Sequence, residues 1–485
     1  MSKSASNQDP DQSAADDPDD DQDDDEVEVV GKVVQEGTFK IRPSGFRCVP
    51  PTVYVDYPPD LGIDRNDISA IEPLRSRVLH FKCHWERICI KNGFQRAGFV
   101  KSDVKWTALW SKHQTDDAIK DLNCLQKINH FPGSWCVGRK DRLLHTISAM
   151  KRLHGHEFDF HPDGFVLPQE HDGLLRLLQS ESMTTANGKS KKSPSNNLWI
   201  FKPVAASQGK GIKVITSQQV HDFMTAKSSK NKSALIQRYL HNPYLINNHK
   251  FDLRIYVLVT GVDPLRVYIH EEGLTRISTV AYSLKNTKNR FAHLTNYSIN
   301  KKSPAFVAAG IDTPVEEAIS GTNVDGLGLS PSDVEGFKWS LTAFRKWLSR
   351  ETSPEIMKKT FEKIDDLVVK TMIAAEAEIT PRLHNAANYR TNCFELFGLD
   401  VILDSKLEPH LLEVNISPSL MGSSPLDKKI KGMLVADILH VSCVFVACLL
   451  LLCIIYIIII IYIYINIHTY ILYRSLVCIL TMITG

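Results

Sequence analysis

Two apolar runs near the end of the chain, FELFGLDVIL (394–403) and PHLLEVN (409–415), flank the short segment DSKLE and carry carboxylates inside them. Runs of this kind around a short polar turn predict an antiparallel hairpin. Pairing about a centre between Lys406 and Leu407 sets Asp400 opposite Glu413. Cross-strand partners point to the same face, and Asn415 joins them by the two-residue period of a strand. Two carboxylates side by side repel unless a cation sits with them. A Lys or Arg partner is one solution. Asp, Glu and Asn together are also hard oxygen donors of the kind that hold Mg²⁺ with phosphates, and the set favours that solution.

Three other stretches carry charge where a plain core would not. In HKFDLRIYVLV (249–259), Lys250, Asp252 and Arg254 alternate with Phe251, Leu253 and Ile255. The run continues as a central apolar strand, so its charged face is expected to line a cleft. In WIFKPVAASQGKGIKVI (199–215), Lys202 interrupts an apolar strand, a costly place for an ammonium without an anion. The Gly-rich turn after it offers backbone N–H groups to phosphate, although the P-loop pattern GxxxxGK[ST] is absent. FAHLTNYSINKK (291–302) gathers polar residues between basic ones.

The chain of 485 residues has room for several domains. Its net charge of +2 conceals an asymmetry: residues 1–30 carry twelve Asp/Glu and one Lys, net −11, and the rest is net +13. A basic body suits an acidic partner: nucleic acid, anionic lipid or an acidic protein tail. The ten cysteines form no CxxC pair, and the six before residue 440 read as reduced packing residues of an intracellular protein. The polar, acidic N-terminus does not read as a signal peptide. The expected organisation is an acidic disordered leader (1–38), an N-terminal α/β subdomain (39–140), a central subdomain and loop (141–198), a catalytic core (199–437) and an apolar tail (438–485). Residues 188–197 and 303–335 read as loops. Helices are expected over 336–350 and 354–378, the second burying Ile356, Phe361, Ile364, Leu367, Val368, Met372 and Ile373 on one face. From Ile438 to Tyr473 there is no Asp, Glu, Lys or Arg. That length suits a transmembrane helix; the Ile/Tyr low complexity, drawn from AT-rich codons, equally suits translated non-coding sequence.

The motifs KINHFPGS, GRKD, WIFKP, QRYL, KFDLRIYVLVT, HLTNYSINK, FELFGLD and LLEVNISPSL, followed by SPLDKKIKG, run in this order across about residues 72–433. Together they resemble the tubulin tyrosine ligase-like family of ATP-grasp ligases, and the KFDLRIYV and ELFGLD forms resemble its glutamylase branch. The resemblance implies a mixed α+β / α/β ATP-grasp fold with N-terminal and central α/β subdomains. It implies ATP and Mg²⁺ as cofactors, an acyl-phosphate intermediate, free glutamate as donor, and the acidic C-terminal tail of tubulin as acceptor. Microtubules become the partner in place of nucleic acid. The location implied is cytoplasm and cytoskeleton, with cilium and basal body as candidate sites, and a membrane only if the tail is real.

By the same resemblance, Lys202 contacts the ATP phosphates and, with Arg254, serves catalysis. Gln208 and Gly209 lie in the phosphate loop, and Gln237, Arg238, Tyr239 and Leu240 line the adenine pocket. Lys250 and Asp252 meet adenine and ribose, and Thr295 and Asn296 approach the phosphates. Asp400, Glu413 and Asn415 hold Mg²⁺. Arg254, Tyr297, Lys301 and Lys431 are candidates for the incoming amino acid. The family usually has Arg where this chain has Gln208, and Lys210 is positioned in sequence to replace that charge. Glycine or tyrosine as donor, and a catalytically weak tubulin-binding protein, are the competing readings.

Overall fold

The computed structural model describes two short strands, 39–42 and 52–55, and residues 80–442 apart from 85–86, 98, 187–196, 205–208, 227–232 and 310–332. The acidic leader, Gln208, most of the two expected loops and residues 443–485 lie outside the described residues. The two short strands, β1 (Phe39–Arg42) and β2 (Thr52–Val55), pair with each other.

Four short strands, β3 (His80–Cys83), β4 (Val100–Lys101), β5 (Ala108–Trp110) and β6 (Lys127–Ile128), make a parallel sheet in the order β4-β3-β5-β6. Helix Ile88–Arg96 packs against helix Pro425–Val441 at the other end of the chain. The close approach is at Gly93, where an added Cβ would lie 2.5 Å from Val435 Cγ1. Ile438 and Leu439 are buried in this contact. The tail expected to begin at 438 therefore gives its first residues to the body, because they complete the apolar face of the last helix. Among the described residues no helix is long and apolar enough to cross a membrane.

Strands β7 (Gly164–Leu167), β8 (Leu198–Pro203), β9 (Lys213–Thr216) and β10 (Ala234–Arg238) form an antiparallel sheet in the order β7-β10-β8-β9. Because β10 pairs with both β7 and β8, the boundary expected at 198/199 falls inside one sheet. Helices His171–Ala186 and Ser217–Thr225 cover one face around Trp199, Ile236 and Val220. The second helix starts at a capping box made by Thr216 and Gln219.

The largest sheet has seven strands. In order these are β14 (Val334–Glu335), β15 (Lys338–Ser340), β13 (Leu265–Ile277), β12 (His249–Val262), β16 (Glu395–Leu403) and β17 (Pro409–Asn415), with β11 (Leu245–Ile246) also paired to β12. Alternation decides its two faces. Phe251, Leu253 and Ile255 join the main core with helix Pro354–Ala386, while Lys250, Asp252 and Arg254 face the other way. That helix buries Phe361, Ile364, Leu367, Val368 and Met372, but Ile356 and Ile373 are 44% and 42% exposed. The 3.6-residue period swings both past the edge of the stripe. The helix expected from 336 begins at Leu341, because 338–340 is the strand β15.

β12 and β13 run past each other with a register shift after Ile255, which pairs with Gly273. A Cβ at Gly273 would lie 2.3 Å from the Arg254 carbonyl oxygen and 2.8 Å from Leu341 Cδ1. The carbonyl cannot yield without moving the strand that carries the charged face. Gly273→Ala is expected to cost about 3 kcal/mol of unfolding free energy in urea titration, the upper end for overpacking.

Candidate active site

β16 and β17 place Asp400 opposite Glu413, and a bulge makes that register. Near the turn the strands pair Val401 with Leu411; one step on they pair Asp400 with Glu413, leaving Leu412 as the extra residue. The Leu412 carbonyl accepts from Lys202 Nζ at 3.4 Å, and Gln237 Oε1 accepts from the same ammonium at 2.8 Å. Gln237 is itself oriented by the Pro162 carbonyl at 2.8 Å. The central sheet thus delivers Lys202 to the hairpin of the large sheet.

Asp400 is enclosed by two guanidiniums. Arg254 Nε donates to Oδ1 at 2.6 Å and Arg276 Nη2 to Oδ2 at 2.6 Å. Arg276 also holds Asp252 through bonds of 2.7 and 2.6 Å, and Thr295 Oγ1 donates to Asp252 at 2.7 Å. Burial alone would raise the Asp400 carboxyl, but the Arg254 and Arg276 charges outweigh it and hold it well below the usual range. Glu413 goes the other way: burial and the neighbouring Asp400 raise it, against the opposing charges of Lys140 and Lys202. The expectation that Asp400 and Glu413 share a face is met, and so is part of the alternative, since Asp400 has its arginines. Glu413 is the member of the pair still short of a cation. A divalent ion fits there, because it would supply the opposite charge that the buried carboxyl lacks.

Lys250 Nζ donates to Tyr239 Oη at 3.1 Å and lies 4.6 Å from the centre of the Tyr239 ring, and Tyr239 is hydrogen-bonded to His293 at 2.8 Å. Burial lowers Lys250 to about 7 and Lys202 to about 8, despite the opposing carboxylates. One cleft is lined by Lys202, Gln237, Arg238, Tyr239, Leu240, Lys250, Asp252, Thr295, Asn296, Asp400 and Glu413. Gly209 borders it at φ +73°, where a Cβ would meet Ile299 and Asn296 at 2.6 and 3.0 Å.

Other expected residues sit elsewhere. The Arg238 guanidinium turns away to lie 3.9 Å over Trp199 and pair with Glu181. Arg254 stands behind Asp400, and Asn415 donates to the Gly398 carbonyl at 3.1 Å. Tyr297 covers the Lys338 ammonium at 4.4 Å; Lys338 pairs with Asp427 at 2.8 Å and Asp427 with Lys431 at 3.0 Å. Tyr297 and Lys431 thus meet through two residues that sequence reasoning missed, and Lys301 is exposed on the surface nearby in sequence. Arg276 was missed as well. Its signal was available: an arginine inside LTRI, an otherwise strand-like run.

A buried set away from this cleft, His113, His130 and Glu395, brings ligand-type atoms within 4.8 Å of one another. Its imidazoles stack at 4.0 Å, and His130 Nδ1 and His113 Nε2 lie 2.7 and 3.5 Å from the same Glu395 oxygen. Glu395 already accepts from His130 at 2.7 Å, Phe131 N–H at 3.0 Å and Ser134 at 3.0 Å. The set clamps the start of β16 to the 129–134 loop.

The model of the tubulin-tyrosine ligase family matches residues 118–320 and 330–449. The chain belongs to that family. It is 37% identical over 428 residues to tubulin monoglutamylase TTLL4 of Homo sapiens, covering 86% of this chain and 32% of that protein. It is 38% identical over 344 residues to tubulin polyglutamylase TTLL5 of Homo sapiens, covering 70% and 24%. With tubulin polyglutamylase ttll-5 of Caenorhabditis elegans it shares 33% over 374 residues, covering 76% and 46%. The chain spans about a quarter to a half of the length of these relatives. As a member of this ligase family it has the mixed α/β architecture that the motifs implied.

Two outcomes test the electrostatics. Arg276→Met leaves Asp252 and Asp400 short of a buried partner and is expected to cost about 3–5 kcal/mol in denaturant unfolding. A bound polyphosphate stabilises the charged form of Lys202 and Lys250, so above pH 7 to 8 binding must take up protons. Affinity for an ATP analogue is therefore expected to fall as pH rises from 7 to 9, approaching tenfold per unit per proton taken up. Titration calorimetry in buffers of different ionisation heat reads both the affinity and the proton uptake.

Proposed function

We propose that this chain is an ATP- and Mg²⁺-dependent ligase that joins glutamate to glutamate side chains in the acidic C-terminal tail of tubulin. The convergence of Lys202, Lys250, Asp400 and Glu413 in one cleft carries the reading, together with relatives named as tubulin mono- and polyglutamylases. In this reading Lys250, Tyr239 and Asp252 hold the nucleoside, and Gly209, Asn296 and Lys202 its phosphates. Asp400 and Glu413 would hold Mg²⁺, which would supply charge neutralisation along the phosphates.

The acceptor carboxylate attacks the γ-phosphorus, ADP leaves, and an acyl phosphate remains. The amine of free glutamate then attacks the acyl carbon, and phosphate leaves as the amide forms. The ammonium of Lys202 and the guanidiniums behind Asp400 keep the cleft cationic, which offsets the charge that gathers on the transferring group. Arg254 holds the Asp400 carboxylate from behind. The Tyr297–Lys338–Asp427–Lys431 cluster supplies charges for the donor amino acid. Microtubules of the cytoskeleton are the place of action that a tubulin acceptor implies.

The full chain with ATP, Mg²⁺, tubulin and labelled glutamate, glycine or tyrosine tests the reading. Glutamate is expected to enter the tail; incorporation of glycine or tyrosine alone would overturn the choice of donor. Glu413→Gln is expected to lower kcat/KM by about 10²–10³-fold, the scale of one lost electrostatic contact to a reacting group. Its circular dichroism is expected to match wild type, because the amide keeps the size and shape of the buried carboxyl.

A further inference from the structure

The two acceptors of the Lys202 ammonium belong to different sheets: Gln237 to β10 and Leu412 to β17. One short segment, residues 160–164, ties those strands together behind it. The Phe160 carbonyl accepts from Leu411 N–H at 2.8 Å, one residue before Leu412, and the Asp163 carbonyl accepts from Arg238 N–H at 2.8 Å, one residue after Gln237. Gly164 pairs with Gln237, and a Cβ there would lie 2.9 Å from the Ile236 carbonyl oxygen, so the segment lies closer to β10 than a side chain would allow. Lys151 anchors it through ion pairs of 2.6 and 2.8 Å to Asp159 and Asp163.

His161 and Pro162, in the middle of the segment, grip the Gln237 amide. Gln237 Nε2 lies 2.8 Å from the Pro162 carbonyl oxygen and 3.2 Å from His161 Nε2, and both side chains are buried. Chemistry at the two ends fixes the direction of this chain. A carbonyl oxygen only accepts and an ammonium only donates, so the amide nitrogen faces Pro162 and the amide oxygen faces Lys202. His161 Nε2 then meets an N–H donor and has to accept. Its imidazole is therefore neutral, with the hydrogen on Nδ1. Burial, with the charges of Lys202, Lys151 and His410, holds the ring down at about 3, so the acceptor persists at neutral pH.

We propose that His161 is a positioning residue of the nucleotide site: its Nε2 lone pair fixes the Gln237 amide, and the amide oxygen in turn aims the Lys202 ammonium between the two sheets. The proposal rests on the reading of the cleft as the site of a nucleotide. His161 stands behind Gln237, outside the lining of the cleft, and acts through it. Without that lone pair one amide N–H would be buried with no acceptor, and Gln237 and Lys202 would shift to relieve it.

The test compares wild type with His161→Leu, which removes the acceptor, and His161→Gln, which returns an oxygen near the position of Nε2. In titration calorimetry on the full chain, His161→Leu is expected to weaken an ATP analogue about tenfold, the scale of one buried donor left without an acceptor, and His161→Gln to recover to within about threefold of wild type. In turnover assays KM for ATP carries the loss, and KM for glutamate stays within about twofold. Long-range proton–nitrogen spectra of protein labelled with nitrogen-15 histidine, the His161 signals assigned by their loss in His161→Leu, are expected to show the neutral Nδ1–H tautomer at pH 7. Equal loss in both variants would make His161 a packing residue and overturn the proposal. No loss in His161→Leu would overturn it as well, and so would an imidazolium or an Nε2–H tautomer in wild type. If affinity depends on residue 161 as expected but wild type incorporates no amino acid, the positioning stands and the ligase reading fails. If wild type incorporates glutamate and all three proteins bind the analogue equally, the ligase reading stands and the positioning fails. A wild type that binds no ATP analogue overturns both.

Discussion

The cleft depends on a buried run of alternating charge across three strands. Asp252 on β12, Arg276 on β13 and Asp400 on β16 are joined in one line, with Arg254 closing the end. Each charge would be prohibitively desolvated alone; together they neutralise one another and fix the three strands in one register. The bonds are charge-assisted and two of the arginine contacts are bidentate, which constrains direction as well as distance. The ion line is therefore the floor on which the more adjustable groups, Lys202, Lys250 and Glu413, are set.

Those adjustable groups show the opposite electrostatic state. Their partners are incomplete, and burial pushes both lysines down and the glutamate up. Perturbed groups in a cleft mark a site built for charges not yet present. An anion at the two lysines and a cation at Glu413 would relieve all three.

The two faces of β12 were legible because strand alternation is strict. Lys250, Asp252 and Arg254 must separate from Phe251, Leu253 and Ile255 whatever the tertiary context. The Asp400–Glu413 pairing was legible for a less direct reason. The strands next to the turn pair about Lys406, half a residue from the centre that symmetry suggests, and the bulge at Leu412 restores the register beyond it. The ends of helix Pro354–Ala386 were not legible, since Ile356 and Ile373 are as apolar as their buried neighbours and only the packing partners end the stripe.

By itself the sequence determined which residues could bear the chemistry: charges set into apolar strands at a two-residue period, and an ordered series of motifs that places the chain in its family. Local spacing suffices for that, because side-chain direction in a strand follows from covalent geometry. Only the tertiary structure decided which charges were neighbours. Arg276 lies 124 positions from Asp400, Lys202 comes from another sheet than Glu413, and Tyr297 reaches Lys431 only through Lys338 and Asp427. Electrostatic partnership depends on distance in space, and no periodicity within one segment encodes a contact between sheets.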